Sequence, residues 1–302
     1  MRACTRATQW PVYPPQRLTD MQRDAIVDYT TRMALALGVR GLMNVQFVIA
    51  PAAQPDGPGV FVIEVNPRSS RTVPFLSKVT GVPMVQLAVN VMLGRSLMAQ
   101  GYPGGLWPER PLVAVKAPVF SMAKLIGVDT FLGPEMKSTG EVMGIDHNFE
   151  AALRKAMIAS DLSVAAGTPF LLSLSNQTKA EAVALIRDLH EAGCRLYATE
   201  GTAALVRGLG LPVEQVAKRL NEGHPNVVDV IRDGSVRAVI NTVEGGRPDV
   251  RRDGFHIRRN ATEMRIPCFT SMDTARAAIH ALAHPASYAV KPLIEYRDGE
   301  HA

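Results

Sequence analysis

An α/β protein of two domains, the second built on a mostly parallel sheet, is what this sequence predicts. Three observations carry that expectation. From Pro169 onward, short apolar runs alternate with amphipathic stretches of helical period, the pattern of a parallel sheet covered on both faces. Before that, two apolar runs, 42–49 and 60–65, flank the turn-like PAAQPDGPG and read as a hairpin. Between the two regions, composition changes at 161–168 (DLSVAAGT), which reads as a linker. With 302 residues and 47% hydrophobic content, the chain has material for two cores.

The elements follow in order. Residues 1–17 read as irregular, with Pro11, Pro14 and Pro15 close together. Residues 18–37 read as a helix capped by Thr19, with Ile26, Tyr29, Met33 and Leu37 at helical spacing. Residues 83–97 and 148–160 read as two further helices. The stretch 103–145, rich in Pro and Gly and ending LGPEMKSTGEVMG, reads as a functional loop. In the second domain PFLLSL, CRLYAT and VRAVINT read as strands. KAEAVALIRDLHEAG, EGTAALVRGLG and DTARAAIHALAHP read as helices. The domains are thus 18–162 and 163–302.

Composition excludes several classes. The net charge of +5 comes without a dense basic block and with only 6% aromatic residues, so a nucleic-acid groove is not expected. Small anions suit the same balance. Three scattered cysteines with no CxxC pair predict neither zinc nor a disulfide framework. No apolar run reaches the roughly 18 residues of a spanning helix, and the start has no secretory h-region. A soluble, cytoplasmic protein without membrane contact is expected.

Two clusters carry candidate chemistry. On the hairpin, strand alternation puts Glu64 and Asn66 on one face, with Phe61, Ile63 and Val65 on the other. Gln46 adds an amide oxygen from the partner strand. Oxygen ligands of this kind suit a hard cation such as Mg²⁺ sharing its shell with phosphates. Arg68 and Arg71 follow, a pair able to clamp phosphoryl or carboxylate oxygens. From composition alone, the same residues read equally as the wet face of a sheet. In the second domain, polar residues gather where strands end: Ser173, Lys179, Thr199, Thr202, Lys218, Asn241 and Thr242. Ligands of open α/β sheets bind at the carboxyl ends of strands, and the turn ATEGT offers hydroxyls and N–H groups to a phosphate. The plainer alternative makes Thr199 and Thr202 helix caps and the lysines solvated.

VQFVI, FVIEVNPRSSRTVPFLSKVTGVP, VAVKAPVF and LGPEMKSTGEVMG, in that order, resemble consecutive signatures of the carbamoyl-phosphate synthase large chain. The resemblance is to its C-terminal part: the end of the second ATP-grasp unit, then a methylglyoxal-synthase-like regulatory domain. It implies a partial ATP-grasp (α+β) lobe followed by a Rossmann-like α/β domain. Gln46, Glu64 and Asn66 then match positions that hold Mg²⁺ or Mn²⁺ against ATP phosphates. Arg68 and Arg71 match positions near the reacting group, and the implied reaction is phosphorylation of carbamate by ATP. Ser173, Lys179, Thr199, Thr202, Lys218 and Asn241 match positions that bind a nucleotide monophosphate effector, UMP or IMP. Pyrimidine and arginine biosynthesis are the implied pathways, with a glutaminase small chain as partner.

The resemblance also implies missing parts. The adenine pocket and phosphate-covering loop should lie upstream, so the chain alone is expected to be inactive until completed by an upstream or split-gene polypeptide. One choice of codons for Met1–Pro11, read in a shifted frame, yields AGVHSGDSMA, close to the segment expected before YPP; a frame change before Val12 is the expectation. A free-standing nucleotide-binding module without catalysis is the alternative. Methylglyoxal synthesis itself is not expected: VEGGRPDVR offers Glu244 and Asp249 but lacks the synthase's GPLGGD-type loop.

Overall fold

The computed structural model describes residues 10–50, 57–119, 139–218, 223–242, 248–283 and 287–298. Residues 1–9, on which the expected frame change falls, most of PAAQPDGPG, most of LGPEMKSTGEVMG, Glu244 and the Asp249 side chain lie outside the described residues. The chain forms two compact units, one of Val12–Leu112 with Lys291–Ala302, the other of Met1–Pro11 with Val113–Val290.

The first unit opens with β1 (Val12–Tyr13) and α1 (Asp20–Ala36). Thr19 caps α1 as expected: its hydroxyl accepts from Gln22 N–H, and the Gln22 side chain returns the bond. The helix buries no residue, and Leu35 and Leu37 are exposed. β2 (Asn44–Ile49) and β3 (Val60–Asn66) form the antiparallel hairpin. A register shift at Gln46/Phe47 pairs Phe47 with Val62 and leaves Ile63 as the extra residue. The bulge also corrects the expected apolar face of Phe61, Ile63 and Val65: Phe61, opposite Val48, falls on the Gln46 side, Phe61, Val62 and Ile63 are exposed, and Val65 is half-buried.

Next come α2 (Thr72–Thr80) and α3 (Met84–Met92). α2 was not anticipated, and α3 is shorter than the 83–97 expected, with Gly94 at φ 92° just beyond its end. Val73, Phe75, Val79 and Leu87 form the small core here. One stripe of α3, Val85, Val89 and Met92 continuing to Leu93, stands exposed. The last helix, α10 (Leu293–Asp298), packs on α2. Arg110 ties the two, donating to Thr80 O at 3.0 Å and pairing with Asp298 at 3.5 Å.

In the second unit, β4 (Val113–Val119) pairs antiparallel with β5 (Gly140–Asp146). The sequence reading of 103–145 as one loop is thereby corrected at both ends. Prolines and glycines that read as loop signals serve the strands instead. Gly144 is the clearest case: a Cβ there would overlap the backbone of Ala152 and Ala156, so glycine lets α4 (Phe149–Ala159) lie directly on β5. Asn148 caps α4, accepting from Ala151 N–H at 2.9 Å.

The rest is the parallel sheet. β6 (Phe170–Ser173), β7 (Leu196–Thr199), β8 (Glu214–Val216), β9 (Ala238–Asn241) and β10 (Cys268–Phe269) lie in the order β10-β9-β6-β7-β8, all parallel. The mixed α/β class with a mostly parallel second sheet stands. β6, β7 and β9 are buried at every residue, as strands covered on both faces are. α5 (Val183–Glu191), α6 (Glu200–Gly208), α7 (Val227–Arg232), α8 (Pro248–Glu263) and α9 (Met272–Ala283) connect and cover them. α4 packs against α9 as well as β4 and β5, which is why contacts divide the chain at Leu112/Val113 rather than at the 162/163 composition change. Among the described residues, no single helix is long and apolar enough to cross a membrane.

Candidate functional site

The hairpin brings its predicted residues together. Gln46 stands directly opposite Glu64, and Asn44 opposite Asn66. All four therefore share one face of the ribbon, since i and i+2 positions do. Asn44 was missed, although it lies two residues before Gln46 and alternation alone could have found it. Its Nδ2 donates to Ser70 Oγ at 3.2 Å, and the same hydroxyl accepts from Thr72 N–H, so the polar face is tied to the start of α2. Glu64 is exposed; Gln46 and Asn66 are half-buried. Arg68 and Arg71 are both exposed beyond the strand end, with Arg68 Nη1 donating to Ser69 O at 3.0 Å. One carboxylate and three amides fit a hard cation only when phosphate oxygens complete its shell.

The second cluster sits at a place the topology singles out. The chain runs outward from β6 through β7 to β8, then crosses back to lay β9 on the other side of β6. The crevice at such a switch point, beyond the carboxyl ends of the strands, is where open α/β sheets bind ligands. Ser173 ends β6 and faces Asn241 at the end of β9 in register. Thr242 N–H and Asn241 Nδ2 both donate to Ser173 O, at 3.1 and 3.2 Å. Thr199 Oγ1 lies 3.5 Å from Ser173 Oγ.

These bonds bear on the capping alternative for the threonines. Neither Thr199 nor Thr202 caps α6: Thr199 makes no side-chain cap bond, and Thr202 Oγ1 accepts from Leu174 N–H at 3.0 Å. Thr242 Oγ1 likewise accepts from Ser175 N–H at 2.9 Å and meets Thr178 Oγ1 at 2.7 Å. The hydroxyls thus hold the loop after β6, and the first turn of α6 keeps N–H groups that no cap residue satisfies. Lys179 reaches this turn: its Nζ is 3.0 Å from where a Gly201 Cβ would stand. Lys218 lies just past β8 and is half-buried. Ser173, Thr199, Thr202, Asn241 and Thr242 are all buried at the strand ends, while Lys179 and Lys218 are half-buried. Sequence reasoning missed one member of the buried group, Arg258 of α8. It is fully buried and donates to Asn241 Oδ1 at 2.6 Å.

A two-part arrangement of this kind defines a class. Residues 8–100 match the family model "Carbamoyl-phosphate synthase L chain, ATP binding domain", and residues 181–270 match "MGS-like domain". The ATP-grasp part of the expected fold rests on the first match. The particular likeness is to the carbamoyl phosphate synthase large chain of Thermomicrobium roseum, 56% identical over 290 residues and 96% of this chain. The similarity to that large chain runs over nearly the whole of this chain, which spans 26% of the curated relative's length. Among solved structures it is similar to a single-chain, multi-domain long-chain acyl-CoA carboxylase, with 22% identity, TM-score 0.38, and coverage of 49% of this chain and 18% of that one. A second is the biotin carboxylase domain of a single-chain bacterial carboxylase, with 22% identity, TM-score 0.36, and coverage of 50% and 38%.

Proposed function

We propose that this chain is the C-terminal part of a carbamoyl phosphate synthase large chain, contributing one side of the ATP site that phosphorylates carbamate and a nucleotide-monophosphate effector site. The proposed domains are 18–162 and 163–302. On the first, Gln46, Glu64 and Asn66, joined by Asn44, hold Mg²⁺ or Mn²⁺ against the nucleotide phosphates; the metal, when bound, neutralises phosphate charge during transfer. Arg68 and Arg71 orient the anionic reactant beside it. The lobe that closes over the nucleotide belongs to the upstream part of the large chain or to a split-gene partner, and without it these residues are proposed to make no carbamoyl phosphate. Exposed Phe61, Val62, Ile63 and the α3 stripe support an upstream partner, because apolar residues clustered on two elements mark a surface built to be covered. In the complete enzyme, a glutaminase small chain supplies ammonia for pyrimidine and arginine biosynthesis.

The observation that carries the effector reading is the uncapped start of α6 with Lys179 beside it, over a floor of buried hydroxyls at the switch point. The phosphate of UMP or IMP seats there, with Lys218 adding charge. Effector control requires different affinities in two enzyme states; the segment 103–165 is the proposed coupling element. Calorimetry on the purified chain with ATP–Mg²⁺, UMP and IMP tests the whole reading. Binding of UMP or IMP, with no measurable ATP–Mg²⁺ binding and no carbamoyl phosphate formed, is expected. Synthesis by the chain alone refutes the need for an upstream lobe, and absence of UMP and IMP binding refutes the effector site.

A further inference from the structure

The effector reading leaves one group unexplained: a guanidinium placed wholly inside the second unit. Arg258 is 0% exposed and its Nη1 donates to Asn241 Oδ1 at 2.6 Å. Asn241 Nδ2 in turn donates to Ser173 O at 3.2 Å, and Thr199 Oγ1 meets Ser173 Oγ. One continuous network therefore runs from α8 through β9 and β6 to β7, along the floor of the strand-end crevice. The sequence spends a glycine on it: a Cβ at Gly254, one turn before Arg258 on α8, would overlap Nη1 and would stand 3.1 Å from Asn241 Oδ1.

We propose that Arg258 is a positioning residue for the anion site at the switch point. This rests on the effector reading above and deepens it. An arginine has donors only, so the amide of Asn241 must turn its oxygen to the guanidinium and its nitrogen to the strand ends. One N–H of that nitrogen is committed to Ser173 O, and the other is left for a ligand oxygen. Without Arg258 the amide is held at its nitrogen end alone, by the bond to Ser173 O, and its buried oxygen loses the donor that fixes it. The guanidinium also sets a permanent positive charge beneath the crevice, where low dielectric makes it act more strongly on a phosphate than a solvated lysine does. Burying such a charge is costly.

The test uses the full chain, with UMP and inorganic phosphate as probes and calorimetry as the readout. Arg258→Gln removes the charge and can present either end of its amide to Asn241. It is expected to weaken UMP binding about tenfold or more, the scale of a charged hydrogen bond lost, and to flatten the salt dependence of phosphate binding. Arg258→Lys, which keeps charge and donors, is expected to recover most of the affinity. A structural role alone would not separate the two variants in this way when both melt as cooperatively as wild type. Should Arg258→Gln fail to fold, Gly254→Ala carries the same test, because its methyl pushes Nη1 off Asn241 while leaving the arginine in place. Equal UMP affinity in wild type and variants overturns the positioning role while the effector reading survives. Wild-type chain that binds neither UMP nor phosphate overturns both.

Discussion

Replacing Asp146 by Asn should loosen the contact between β5 and α4 by an amount the geometry allows to be worked out. Asp146 and Lys155 are an ion pair at 2.8 Å, with side chains only 8% and 16% exposed. Lys155 Nζ also donates to Ile145 O at 2.6 Å, and Asp146 Oδ1 accepts from His147 N–H at 2.8 Å. Burial pushes the carboxyl of Asp146 up, but the hydrogen bond from Lys155, the His147 N–H and the charge of Lys155 outweigh it, and its pKa lies below the usual 3.8. Removing the carboxylate from a largely buried ion pair costs roughly 3 kcal/mol. For a unit of about 190 residues, that predicts a fall in Tm of about 6–12 °C. The double variant Asp146→Asn/Lys155→Met should lose less than the sum of the single losses, by roughly 1–3 kcal/mol. The sign of the pH dependence follows from the lowered pKa. Asp146 binds its proton more weakly when folded, so its stabilisation is full above the unfolded value of about 3.9 and is lost as pH falls through the lower folded value. Urea unfolding of wild type and variants between pH 7 and pH 3 is the assay. A variant within about 0.5 kcal/mol of wild type at pH 7, or a gap that does not close in acid, refutes the reasoning.

Three further outcomes are expected. Gly144→Ala forces α4 off β5 and should cost about 2 kcal/mol or more in urea unfolding, the range of overpacked cores. Gly201→Ala adds a methyl 3.0 Å from Lys179 Nζ; it should leave stability within about 0.5 kcal/mol yet lower UMP affinity several-fold by calorimetry. In an enzyme completed by its upstream part, Glu64→Ala should abolish carbamoyl phosphate formation while leaving UMP affinity unchanged.

What the sequence made legible follows from how each element earns its burial. β6, β7 and β9 are short runs buried on both faces, so FLLS, LYAT and AVIN stand out as unbroken apolar segments. α8 was invisible for the opposite reason. PDVRRDGFHIRRNATE is charged along most of its length and contributes Ile257, Arg258 and Ala261 to the interior; no reading of polarity assigns an arginine to a core. β8 and β10 are three and two residues long, too short to show a period. β4 and β5 hid behind Pro118 and Gly144, which read as breakers until the close approach of α4 gives the glycine its purpose. That Gln46, Glu64 and Asn66 share a face was legible because alternation depends only on residue parity. The hairpin's bulge and its uncovered side were not, because both depend on neighbours a local pattern does not contain. The strand-end residues were legible as polar punctuation, but their sharing of a crevice depends on the crossover that places β9 beside β6.

The ribbon of β2 and β3 is paired only with itself among the described residues. Two strands alone make a soft spring, marginally stable in water, and each keeps an outer row of backbone donors and acceptors. Gln46 and Glu64 can therefore be held apart no more stiffly than that spring allows. Whatever strand or helix is laid along this edge sets the tolerance of the proposed ligand set, so that mechanical bracing and chemical competence would arrive together.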